Sequence, residues 1–313
     1  MTGEPTSPVD MIRALVSYDT TSSQSNLGLI DFAERVFGTL GIACERTYNE
    51  DGGKANLFAT IGPKVAGGVI LSGHTDVVPV TGQEWDTNPF DVVERDERLY
   101  GRGTADMKSF LGVALALAPK FAATRLRFPV HFALSYDEEV GCLGVRRMLQ
   151  PLISRSLAPA AVIVGEPTGM EVVTSHKGVR TFRTSVTGCE AHSSVPHRGA
   201  SAIFVANKLL GFLRALAREL RDTASKKVDY DPPYATISVG MIEGGTAVNI
   251  VPRSCTFHWE YRPLPDEDPD EILRRFEQFV AEEYLEVLRA EDIQAKIVTH
   301  PVGAIPALSE FPD

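Results

Sequence analysis

Four short segments carry the residue types that hold metal ions and move protons: Gly73-His74-Thr75-Asp76, Gly103-Thr104-Ala105-Asp106, Tyr136-Asp137-Glu138-Glu139 and Gly165-Glu166-Pro167-Thr168. Singly, each has a plainer reading, since a histidine at a strand end usually serves as a hydrogen-bonding group and an Asp-Glu-Glu run usually lines a solvated turn. Jointly they do not. Each sits at the end of a predicted strand, and neighbouring strand ends lie only ~5 Å apart, so their carboxylates would crowd uncompensated charge unless cations sat among them. One imidazole with several carboxylates and no thiolate suits zinc, cobalt or manganese, and the number of ligands fits two ions better than one. A hydrolytic pair of that kind stands ~3.5 to 4 Å apart and shares a bridging oxygen. Adjacent Glu138 and Glu139 point to opposite sides of an extended backbone, so one can bind metal while the other stays free as a base for the activated water.

Such a site needs strands that end at one edge of a sheet. Over residues 11–40 apolar side chains recur at helical intervals, and over 55–72 short β-rich runs are broken by Gly62, Pro63, Gly67 and Gly68. Val69-Ile70-Leu71 is a continuous apolar run of the kind buried on both faces, and it delivers His74 at its C-terminal end, where open α/β sheets bind ligands. Residues 107–121 read as a helix, 129–135 as a strand, 144–149 as a helix, and 161–164 as a second buried strand ending at Gly165-Glu166. This alternation predicts an α/β sheet. After Glu166 the pattern becomes strands near 171–175 and 180–187, a helix over 200–220, strands near 235–242 and 254–261, and a helix over 269–288. That order predicts a separate α+β unit bounded near Ser175 and Ala290, with 293–300 as a strand resuming elsewhere.

The 313 residues suit about two domains of ordinary soluble composition, 43% apolar and 23% charged. The net charge of -10 argues against nucleic acid and anionic membrane as partners, because both need a basic face, and leaves room for a metal. The longest apolar stretch, residues 110–119, is far below the ~18 residues that span a bilayer, and Glu4 and Asp10 stand where a signal peptide would be basic and then apolar. Cys44, Cys142, Cys189 and Cys255 are dispersed with no CxxC spacing, which suits reduced thiols in the cytoplasm.

The string of motifs resembles the dinuclear-zinc aminoacylase and carboxypeptidase family of metallopeptidases. It is carried by LSGHTDVVPV (71–80), LYGRGTADMKSF (99–110), SYDEEVGCLG (135–144), GEPTGM (165–170), His176-Lys177-Gly178, Ala191-His192-Ser193-Ser194 and GGTAVNIVP (244–252), all in the family's order and spacing. The resemblance implies a zinc-peptidase-like catalytic domain with a mixed sheet flanked by helices, plus an inserted α+β lid and dimerisation domain. The divisions are then 1–174 for the first part of the catalytic domain, 175–290 for the lid, and 291–313 for the start of the return.

The resemblance also implies two zinc ions, with cobalt or manganese as substitutes. His74 would bind one zinc, Asp106 would bridge both, Glu139 and Glu166 would bind one each, and Glu138 would be the general base. Asp76 would orient the His74 imidazole, and a cis peptide would follow Asp106. His192 in the lid would hydrogen-bond the oxygen that becomes an oxyanion, while Asn249 and Arg262 resemble groups that hold the substrate's α-carboxylate. The implied reaction is hydrolysis of an N-acyl amino acid by a homodimer joined through the lid. The Tyr136–Cys142 wording lies nearer the acetylornithine deacetylase branch, which serves arginine biosynthesis, than succinyl-diaminopimelate desuccinylase; aminoacylase and carboxypeptidase activities stay open.

Against the family's pattern, a Gly-Thr-Glu motif and a final histidine ligand are expected beyond the returning strand, and His300 is a poor match to that ligand's context. The competing expectation is therefore an inactive shortened product that keeps most of the ligands.

Overall fold

The computed structural model describes residues 7–155, 157–224, 229–291 and 296–310. It divides into two compact units, Met1–Glu171 and Val172–Asp313.

In the first unit α1 (Pro8–Val16) starts at Ser7, whose hydroxyl accepts the Asp10 amide at 3.1 Å, while Pro8 takes the first helical position, where a missing N–H costs nothing. α2 (Leu27–Thr39) follows, so the helical periodicity over 11–40 is two helices separated by the Ser/Thr-rich loop 17–26. The order continues with β1 (Cys44–Tyr48), β2 (Ala55–Ile61), β3 (Val69–His74), the ribbon β4 (Val93–Arg95) and β5 (Arg98–Tyr100), α3 (Lys108–Ala123), β6 (Val130–Ser135), α4 (Leu143–Ser154) and β7 (Ala161–Val164).

The main sheet runs β1-β2-β6-β3-β7 and is mixed: β1 with β2 and β2 with β6 are antiparallel, whereas β3 is parallel to β6 and β7. Because His74 pairs with Ser135 and Ser72 with Val164, the chain leaves β3, β6 and β7 at the same edge. The core beside it combines Leu57, Phe132 and Leu134 of the sheet with Leu15, Phe37, Leu111 and Leu115 of the helices.

β7 corrects an expectation. Its apolar run reads as buried, yet Val162, Ile163 and Val164 are exposed, because among the described residues the strand is the sheet's last and pairs with β3 alone.

The second unit contains β8 (Val179–Thr187), α5 (Ala202–Asp222), β9 (Thr236–Gly244), β10 (Ser254–Arg262), α6 (Glu271–Glu291) and β11 (Lys296–Ile305). Its antiparallel sheet runs β11-β8-β10-β9. Alternate residues of β10, Cys255, Phe257, Trp259 and Tyr261, are buried with Val205, Leu209, Leu213 and Leu216 of α5 and Phe276 of α6, so the period of two in the strand meets the helical period across one core. Ser201 caps α5 by accepting the Phe204 amide.

Two further expectations are corrected here. Residues 171–175 form no strand, as Val172 and Val173 are exposed without a ladder partner among the described residues. The strand expected to return to the catalytic domain within 291–313 is β11, which instead pairs along its length with β8 and completes the second unit's sheet.

Candidate metal centre

His74 ends β3 with its side chain buried. Its amide donates to Met107 Sδ at 3.4 Å, and Gly73 before it lets α3 approach: a Cβ there would stand 2.7 Å from Met107 Cε and 2.8 Å from Leu111 Cδ2. Across the imidazole, Nδ1 lies 2.9 Å from the main-chain oxygen of Asp76. A carbonyl only accepts, so Nδ1 keeps its hydrogen, and it is loss of the other proton, from Nε2, that would turn a lone pair toward the carboxylates beyond the ring.

The carboxylates gather around that nitrogen. Asp106 Oδ1 is 2.8 Å from Nε2, Glu166 Oε1 3.8 Å and Glu138 Oε2 3.9 Å. Single ligand atoms of His74, Asp106 and Glu139 all lie within 4.8 Å of one another. Asp106 sits two residues before α3, ahead of the N-cap Met107, and its bond to Met107 is cis, as the resemblance implied. Glu166 follows β7, and Gly165 is needed there because a Cβ would fall 2.0 Å from the Phe110 ring.

Glu138 and Glu139 occupy a turn between β6 and α4. Asp137 opens it in the left-handed region at φ +55, and the Asp76 carboxylate holds it by accepting the amides of Glu138 (Oδ1, 3.1 Å) and Glu139 (Oδ2, 3.2 Å). Ser22 Oγ donates to the same carboxylate at 2.8 Å. The expected role of Asp76 is thus divided: its main chain aims the imidazole, its Oδ1 lies 3.5 Å from Nδ1, and its carboxylate chiefly fixes the glutamate turn.

The charge balance fits a cation. Burial by itself would lower the His74 pKa, but Asp76, Asp106 and Glu138 outweigh it and push it up to about 10. Burial, then the neighbouring charge of Asp106, pushes Glu139 up to about 7. Glu166 is raised by burial, against the pull of His74 and with Asp106 and Glu138 adding to the rise. Protons are retained where negative charge is in excess, and a divalent ion relieves that excess with the donor set zinc, cobalt and manganese accept. His74, Asp106, Glu139 and Glu166 would hold it.

His192, Asn249 and Arg262 lie in the second unit. Ser194 donates its amide to His192 Nδ1 at 3.2 Å, leaving Nε2 of the exposed ring as the N–H donor. The Asn249 main-chain oxygen accepts the Ser193 amide at 3.0 Å, which joins the two loops. A cleft of about 1200 Å³ beside them is lined by Ser193, Ile203, Phe204, Thr246, Val248 and Val251. Arg262 ends β10, with Nε donating to Glu260 at 3.0 Å.

Sequence reasoning did not find Ser22, Lys54 or the structural part of Asp137. Lys54 Nζ donates to Asp137 Oδ1 at 2.5 Å and to the Ser22 carbonyl. Nothing in the wording around Lys54 separates it from a surface lysine.

Residues 70–294 match peptidase family M20/M25/M40. The chain belongs to that family. It is 38% identical to acetylornithine deacetylase of Myxococcus xanthus over 84% of this chain and 68% of the relative, and 36% identical to acetylornithine deacetylase of Pasteurella multocida over 82% and 68%. The M20 family metallo-carboxypeptidase Sso-CP2 of Sulfolobus solfataricus, 19% identical, shares the fold with a TM-score of 0.66, covering 94% of this chain and 78% of that one. Membership makes the chain a metal-dependent amidohydrolase, the class to which its motifs pointed.

Proposed function

We propose that the chain hydrolyses N2-acetylornithine to ornithine and acetate in arginine biosynthesis, with two zinc ions and with cobalt or manganese as substitutes. The observation that carries the hydrolytic reading is the outward Nε2 of His74 met by Asp106, Glu138, Glu139 and Glu166. The named relatives support the substrate.

In this reading His74 would bind one ion, Asp106 would serve both, and Glu139 and Glu166 would serve one each. Cations held there supply Lewis acidity to an acyl oxygen and make a nearby water more acidic. Glu138 takes a proton from the attacking water and returns it to the leaving nitrogen, so that the C–N bond breaks to give a carboxylate and an amine. His192 donates through Nε2 to the developing oxyanion, a role its tautomer supports. Asn249 and Arg262 hold the substrate α-carboxylate, for which a guanidinium fork is suited.

We place the small-molecule reaction in the cytoplasm on the four unpaired cysteines, and propose a homodimer through the second unit. Support for the dimer comes from β9, the last strand of its sheet, where Val239, Met241 and Ile242 are exposed along with Phe204 and Val248 near the cleft. Among the described residues no helix is long and apolar enough to cross a membrane.

The test is a metal analysis with parallel hydrolysis assays on acetylornithine, succinyl-diaminopimelate and a dipeptide. Acetylornithine turned over fastest, with two zinc ions per chain, is the expected result. Preference for either other substrate overturns the specificity, and a metal-free active chain overturns the mechanism.

A further inference from the structure

We propose that Lys54 is a positioning residue that aims the Glu138–Glu139 pair; this rests on the reading of Glu138 as base and Glu139 as ligand. Lys54 lies just before β2, and its side chain is only 16% exposed, unusual for an ammonium. Its two contacts lead by separate routes to the same turn. One is the ion pair at 2.5 Å with Asp137, itself 13% exposed, which immediately precedes Glu138 and holds φ +55 without being glycine. The other runs through the Ser22 carbonyl: the Ser22 hydroxyl donates to Asp76 at 2.8 Å, and Asp76 accepts the amides of Glu138 and Glu139.

A single half-buried cation thus holds the backbone of both glutamates by two routes. The Ser22 loop is anchored elsewhere as well, by Thr20 Oγ1 donating to the Thr75 carbonyl and by Asn26 Nδ2 donating to Thr75 Oγ1 at 2.9 Å. It is therefore a firm base against which Lys54 can hold Asp137. Without the ammonium, the half-buried Asp137 carboxylate loses its paired charge, and the left-handed residue loses what offsets its strain. The turn then relaxes and the two carboxylates lose their separate aims.

The test compares Lys54→Met, Lys54→Arg and Ser22→Ala in the zinc-loaded protein with acetylornithine. Cobalt(II) titration of the metal-free protein, followed by its visible absorption, gives an affinity apart from turnover. Lys54→Met is expected to lower kcat by about 10- to 100-fold with KM within about twofold, as misplacement of a reacting group does, and to weaken cobalt(II) by about 10-fold through Glu139. Lys54→Arg should restore most of kcat, and Ser22→Ala, which removes one route only, should show a smaller loss of the same kind. Folded Lys54→Met with normal kcat and cobalt(II) affinity overturns the proposal. Should Lys54→Met not fold, an unchanged kcat in Ser22→Ala or no activity in well-folded Lys54→Arg overturns it. If Glu138→Gln keeps its activity, the underlying reading of the base fails whatever Lys54 does.

Discussion

His74 Nδ1 is 2.9 Å from the main-chain oxygen of Asp76, closer than the 3.5 Å to that residue's carboxylate. The backbone of one residue aims the imidazole while its side chain braces the neighbouring glutamate turn. Asp76→Asn should therefore leave the ring in place but put an NH2 against an amide N–H of Glu138 or Glu139. We expect kcat to fall by about 10- to 100-fold while most of the metal is retained. Metal analysis beside steady-state kinetics checks this: metal loss as complete as in His74→Ala would show that the carboxylate aims the ring.

The stability that His74 and Glu139 give the metal-free protein should fall as pH rises, opposed above pH 7 by Lys108, whose pKa burial lowers from 10.5 to about 7. His74 is raised from 6.5 to about 10 and Glu139 from 4.5 to about 7, so through these two groups the native chain binds more protons than the unfolded one across both windows. Stability linked to His74 is complete below 6.5 and gone above about 10; that linked to Glu139 is lost between 4.5 and about 7. Metal binding must expel the same protons, so its affinity should climb with pH over these ranges. Urea unfolding without metal at pH 6 and pH 9, for the wild type beside His74→Ala, provides the check: the wild type should lose more stability between the two than the variant does, and an equal or smaller loss would contradict it.

The cluster of candidate ligands was legible because His74 ends β3 while Glu139 and Glu166 follow β6 and β7, and the parallel β6-β3-β7 arrangement brings those strand ends together. The framework beneath them was not. Lys54 follows Gly52 and Gly53, a context that reads as an exposed turn, whereas its contacts with Ser22 and Asp137 leave it half-buried. The apolar runs of β7 and β11 announce strands but not neighbours, so one proved to be an exposed edge and the other joined the second sheet. The polar Thr20–Ser25 run was the overlooked signal for the break between α1 and α2.

Gly73→Ala should be costly although it adds one methyl group. The new Cβ would meet Met107 and Leu111 at 2.7 and 2.8 Å, pushing α3 from β3 beside both His74 and Asp106. A loss of about 1 to 3 kcal/mol in thermal or urea unfolding is expected, together with weaker metal binding. Wild-type stability would mean that α3 yields more freely than its packing suggests.

His192→Ala should lower kcat by about 100- to 1000-fold, as removal of an oxyanion donor does, and leave the metal content unchanged. Ser194→Ala keeps the amide that sets the tautomer and should cost far less. Equal losses in the two variants would place the effect in the loop and not in the imidazole.

The most direct measurement is zinc content against turnover for Glu138→Gln and Glu139→Gln. Glu138→Gln should keep near-normal zinc and lose most of kcat, because it removes a base; Glu139→Gln should lose zinc affinity as well as activity, because it removes a ligand. Equal zinc loss in both variants, or substantial turnover in Glu138→Gln, would contradict the account.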